Sequence, residues 1–147
     1  MNAANVDQLS TKQFGDACEH AALAEFLFAG WPAVKMPDVW KDYDLMIIDR
    51  PDGKISVRGR REGLRNGKRT GSWWQIDADG YDWLVLMRVD IQTGMRRVYV
   101  LPRETALALA SKPGEDGKRG ISFGCAGLTP WASNFALNTE NGKTLAK

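Results

Sequence analysis

The chain has 147 residues, is 44% hydrophobic and 26% charged, and carries a formal net charge of +2. Length and composition suit a single domain spanning 1–147 with a sizeable core, and the global charge balance does not argue for nucleic acid. Two cysteines, Cys18 and Cys125, are too few for a disulfide framework and fit no zinc spacing, which points to a reduced, cytoplasmic compartment. No apolar run approaches the roughly 20 residues that span a bilayer, and the N-terminus carries no signal-peptide pattern, so no membrane association is expected.

In chain order, residues 1–10 read as a flexible arm. Ser10 or Thr11 caps a helix that runs to about Ala29, where Gly30 closes it. Its apolar residues, from Phe14 to Phe28, form a broad surface, and Glu19 shares a face with Gly15, Leu23 and Phe26. A short strand over Ala33–Met36 and a loop over 38–42 carrying Trp40 follow. Leu45 to Ile48 make an apolar strand opened by Asp44. Pro51-Asp52-Gly53 forms a turn, with proline presetting φ and glycine accepting a positive φ. Ile55 to Arg58 then alternate apolar and polar, as in a strand with one buried face. Ser56, Arg58 and Arg60 share the other face, and a carboxylate opposite such a stripe suits a phosphate or metal site.

Gly59 to Gly71 reads as a glycine-containing basic loop. Between Arg58 and Arg69 stand Arg58, Arg60, Arg61, Arg65, Lys68 and Arg69 against one acid, Glu62. Such a block binds phosphates or is a solvated loop. Trp73 and Trp74 come next. Aromatics beside arginines stack on bases; the structural alternative places one in the core and the other under the loop. Tyr81 to Val89 is an apolar, central strand, turned at Gln92-Thr93-Gly94 into Arg96–Leu101, which Pro102 ends. A helix over Arg103–Ala110, an edge strand over Ile121–Phe123 and a brief helix started by Thr129-Pro130 complete the elements. The tail, 139–147, reads as flexible. The order predicts an α/β (α+β) domain with a central mixed sheet of four or five strands flanked by helices. Leu45, Ile47, Leu84, Leu86, Val98 and Val100 are expected to meet in one core.

Over residues 14 to 102 the chain resembles the PD-(D/E)XK nuclease superfamily, in particular its small resolvase-like and homing-endonuclease-like members. The resemblance rests on a glutamate-bearing first helix (GDACEHAALAEFLFAGW), a strand opening on aspartate (YDLMII), the strand ISVR, the strand YDWLVLM and a strand running into proline (VYVLP). It implies a restriction-endonuclease-like core, with Glu19 and Asp44 in the places of the family's acids and, if the protein cleaves, Mg²⁺ held by them. In such sites carboxylates hold Mg²⁺ against the scissile phosphate, and a lysine positions the attacking water. The (D/E)-x-K position falls on Ser56-Val57-Arg58, so serine replaces the second carboxylate and arginine the lysine. Serine is no anionic ligand, and arginine stays protonated. Glu62, Lys35 and Lys41 are the residues that could replace the missing groups.

The function expected from these residues is nucleic-acid binding, DNA ahead of RNA, on a nuclease-like fold with an impaired catalytic site. Glu19, Asp44 and Arg58 are expected to settle as a salt-bridged cluster. The alternatives are an active Mg²⁺-dependent endonuclease and an interaction protein that binds no nucleic acid. A homodimer is the candidate assembly. His20 is the sole histidine, which argues against a histidine-based metal cluster or acid–base triad.

Overall fold

The computed structural model describes residues 4–141. Helix α1 (Thr11–Phe28) starts in a capping box: the Ser10 hydroxyl accepts from the Gln13 N–H, and the Gln13 side chain accepts from the Ser10 N–H. It ends where Gly30 takes a φ of 96°. Phe14, Cys18, Ala22 and Phe26 are buried, whereas Leu27 and Phe28 are exposed. A spacing of four keeps the buried residues on one stripe, narrower than the apolar composition suggests.

Strands β1 (Ala33–Lys35), β2 (Leu45–Ile47) and β3 (Lys54–Glu62) form an antiparallel run. Two two-residue strands, β4 (Leu64–Arg65) and β5 (Lys68–Arg69), make a separate hairpin, followed by β6 (Trp73–Ile76). Next come β7 (Trp83–Asp90), β8 (Arg96–Pro102), helix α2 (Arg103–Leu109) and β9 (Arg119–Ser122). The main sheet has five strands in the order β1-β2-β3-β7-β8. Strands β3 and β7 run parallel, from Ile55 opposite Trp83 to Glu62 opposite Asp90, and every other pairing in this sheet is antiparallel. The sheet is therefore mixed, as expected.

Strand β7 is buried on both faces, and this divides the core. Trp83, Val85, Met87 and Val89 point towards α1, together with Leu45, Ile47, Val98 and Val100. Leu84 and Leu86 point the other way, onto a layer made of β6, β9, α2 and a 3₁₀ helix at Ala126–Trp131. The six residues expected in one core thus belong to two, because successive strand residues face opposite sides of a sheet.

Three local expectations are also corrected. The stretch Gly59–Gly71 is largely strand rather than loop: β3 continues to Glu62, and β4 and β5 are joined through Asn66 and Gly67, both at positive φ (53° and 78°). Asn-Gly is the residue pair that favours a two-residue hairpin turn. Gly53 does not supply a positive φ; Asp49 does, at 63°, and a Cβ on Gly53 would collide with the Ile47 carbonyl oxygen. Pro130 lies inside the 3₁₀ helix rather than starting an α-helix.

The described part of the N-terminal arm carries a 3₁₀ turn, Val6–Gln8, capped by the Asn5 side chain. Val6 and Leu9 pack against the α1-side core. Asn141 donates to the Pro130 carbonyl; residues 142–147 of the tail lie outside the described residues. Among the described residues no helix is long and apolar enough to cross a membrane.

Candidate functional site

Asp44 sits where β2 begins. One of its carboxylate oxygens accepts the Val57 backbone N–H at 2.7 Å, and its own N–H donates to the Ile55 carbonyl at 2.8 Å. Two bonds to β3 fix this side chain at the open end of the hairpin. It lines two cavities. One, of about 240 Å³, is shared with Glu19, Asp16 and Asp38. The other, of about 380 Å³, is shared with Ser56, Arg58, Asp77 and Lys118.

Glu19 projects from α1 into the first cavity. Burial, and then the nearby Asp44 charge, hold its carboxyl above the ordinary range, against the pull of Lys35. The Lys35 ammonium stands 3.7 Å from Glu19 and 3.2 Å from Asp38. The cation beside Glu19 is therefore this lysine, contributed by β1.

Arg58 does not join Glu19. Its guanidinium donates to Asp77 at 2.7 Å, on the opposite side of the sheet from α1. The expected cluster of Glu19, Asp44 and Arg58 is thus divided: Ser56 and Arg58 pair in register with Leu84 and Leu86, whose side chains face the β6–β9 layer. Ser56 is buried. Glu62 lies at the far end of β3, 3.5 Å from Arg88, and Lys41 is exposed. Neither lines a cavity with Asp44.

Sequence reasoning missed Lys118 and Asp77. Lys118 comes from the turn before β9 and lines the Asp44–Ser56–Arg58 cavity. It lies 60 positions after Arg58 in the chain, and no local pattern marks it. Among the described residues, no three His, Cys, Asp or Glu side chains come together as metal ligands.

The basic block separates into two groups. Arg61 donates to the Val6 and Leu9 carbonyls at 3.2 and 2.6 Å and lies over the Phe14 ring, 4.5 Å from its centroid. Arg65 pairs with Asp7. These two cations hold the N-terminal arm. Arg60, Lys68 and Arg69 are exposed and, among the described residues, have no ion-pair partner.

The two tryptophans also part company. Alternation along β6 leaves Trp73 46% exposed and Trp74 fully buried. The Trp74 indole donates to the Met87 carbonyl at 2.9 Å, so Trp74 is a core residue and does not present a stacking face. His20 is exposed.

This architecture is a nuclease-like one. Among solved structures the chain is similar to the bacterial homing endonuclease I-Ssp6803I, with a TM-score of 0.59 and 19% identity, over 93% of this chain and 98% of that one. At that identity the likeness is one of fold. No protein family matches the chain, and no curated protein matches it in sequence.

Proposed function

We propose that this protein binds nucleic acid, DNA ahead of RNA, on a nuclease fold of the PD-(D/E)XK type whose hydrolytic site is impaired. The observation that carries the reading is the basic hairpin. Arg60 stands exposed on β3, and Lys68 and Arg69 on the two-stranded β4–β5 ribbon, with no acid paired to them among the described residues. Unpaired cations on such a ribbon attract phosphates and release their counterions. The nuclease-like fold, similar to that of a protein named as a homing endonuclease, makes DNA the natural partner.

Impairment is supported by the donor set. Serine stands where a second carboxylate is required, and among the described residues no three acids come together as metal ligands, although Lys35 places an ammonium beside Glu19. Mg²⁺ requires octahedral oxygen ligation and gives up its waters reluctantly, so two carboxylates next to a fixed cation suit it poorly. Glu19 and Asp44 are the acids that would hold it.

The test is the salt dependence of binding to a 20-base-pair duplex. Changing Arg60, Lys68 and Arg69 together to alanine should weaken binding and reduce the log–log salt slope by roughly 0.9 for each phosphate no longer neutralised. Unchanged affinity and slope would remove the basis for the reading.

A further inference from the structure

A cleft of about 790 Å³ lies outside the Asp44 cavity, between β6, β9 and the end of α2. Its floor is Trp73. A Cβ on Gly120 would stand 2.8 Å from the Trp73 ring, so the glycine is what allows the indole to lie against β9. The ring is held in place while remaining 46% exposed. Lys112, Lys118 and Arg119 line the same cleft against one acid, Asp116, whose carboxylate is engaged by the Lys118 N–H.

We propose that this cleft takes an unpaired nucleotide of a nucleic-acid strand, its base on the Trp73 indole and its phosphate between Lys112 and Lys118. A flat exposed indole beside clustered cations is the chemistry that holds single-stranded bases without reading their sequence. Lys118 lines both this cleft and the cavity of Asp44, Ser56 and Arg58. The inference deepens the nucleic-acid reading but does not depend on the ribbon.

The experiment titrates the full chain with a deoxyadenosine trinucleotide and in parallel with a blunt 20-base-pair duplex. Indole N–H signals and tryptophan fluorescence report the trinucleotide. The expected result is a shift of the Trp73 signal and roughly tenfold weaker trinucleotide binding in Trp73→Ala, with most affinity kept in Trp73→Phe. An unmoved Trp73 signal, or equal affinity in Trp73→Ala and the parent, overturns the cleft. Duplex binding without trinucleotide binding removes this inference and leaves the ribbon reading standing. Trinucleotide binding at Trp73 without duplex binding does the reverse.

Discussion

Arg58 and Asp77 are 2.7 Å apart, and this pairing directs the guanidinium to the turn after β6 instead of to Glu19. Arg58 is thereby occupied by an internal carboxylate. Both side chains are more than a third exposed, so the pair contributes little to stability. Asp77→Asn should therefore leave the melting temperature within about a degree. It should also tighten duplex binding several-fold at low salt, since it frees a cation and removes an anion from the cavity. Fluorescence anisotropy at two salt concentrations checks this; weaker binding in Asp77→Asn would show that Asp77 does not compete with phosphate.

Glu19 gives a pH dependence with a definite sign. Its carboxyl is held above the ordinary range, so in the window between its unfolded and folded values the folded state binds more proton than the unfolded state. Stability then falls as pH rises through that window. Glu19→Gln removes the penalty. The variant should be more stable than the parent at pH 7, and the gap should close below the ordinary glutamate range. Urea melts at pH 4 and pH 7 measure it; a less stable Glu19→Gln at pH 7 would mean that attraction to Lys35 prevails over burial and Asp44.

Packing of α1 on the sheet depends on Gly59. A Cβ there would collide with the Cys18 sulfur and stand 3.3 Å from the Phe14 ring. Gly59→Ala should cost about 1–3 kcal/mol by overpacking, and Cys18→Ala should recover much of that stability in the double variant. Burial also pushes the Cys18 thiol up to about 11. In the folded protein at pH 8, iodoacetamide should accordingly leave Cys18 unmodified, and unfolding should make it reactive. Additive destabilisation in the double variant, or rapid native labelling of Cys18, would contradict this packing.

Arg61 is a structural residue although it sits in the basic block. Arg61→Ala removes two hydrogen bonds to the arm and the stacking over Phe14, and should cost roughly 1–3 kcal/mol. Amide exchange at Val6–Leu9 should quicken, while the salt slope of duplex binding stays unchanged. A reduced slope would instead make Arg61 a phosphate ligand.

Much of this was legible because the signals are local. Ser10 with Gln13 announces the start of α1, and the YDWLVLM run announces a strand buried on both faces. Asp44, Ser56 and Arg58 were brought to one cavity by a hairpin that the sequence made plain. The remainder required the third dimension. The Asn66-Gly67 turn signal was present, but the charges around it read as loop. Asp77 and Lys118 reach the cavity through β6 and β9, whose pairing no short pattern encodes. Trp73 and Trp74 look alike in sequence, and the register of β6 alone decides which is buried. Glu19 takes Lys35 rather than Arg58 because α1 and the β6–β9 layer cover opposite faces of the sheet.

The central claim, a nuclease-like fold that binds DNA and does not cut it, is tested on one gel. Supercoiled plasmid is incubated with the protein at low salt in Mg²⁺ or Mn²⁺, and half of each sample is deproteinised before electrophoresis. The account predicts retarded plasmid in the untreated lanes and intact supercoiled plasmid after deproteinisation. Metal-dependent nicked or linear product that disappears with Asp44→Ala would contradict it, as would plasmid that is never retarded.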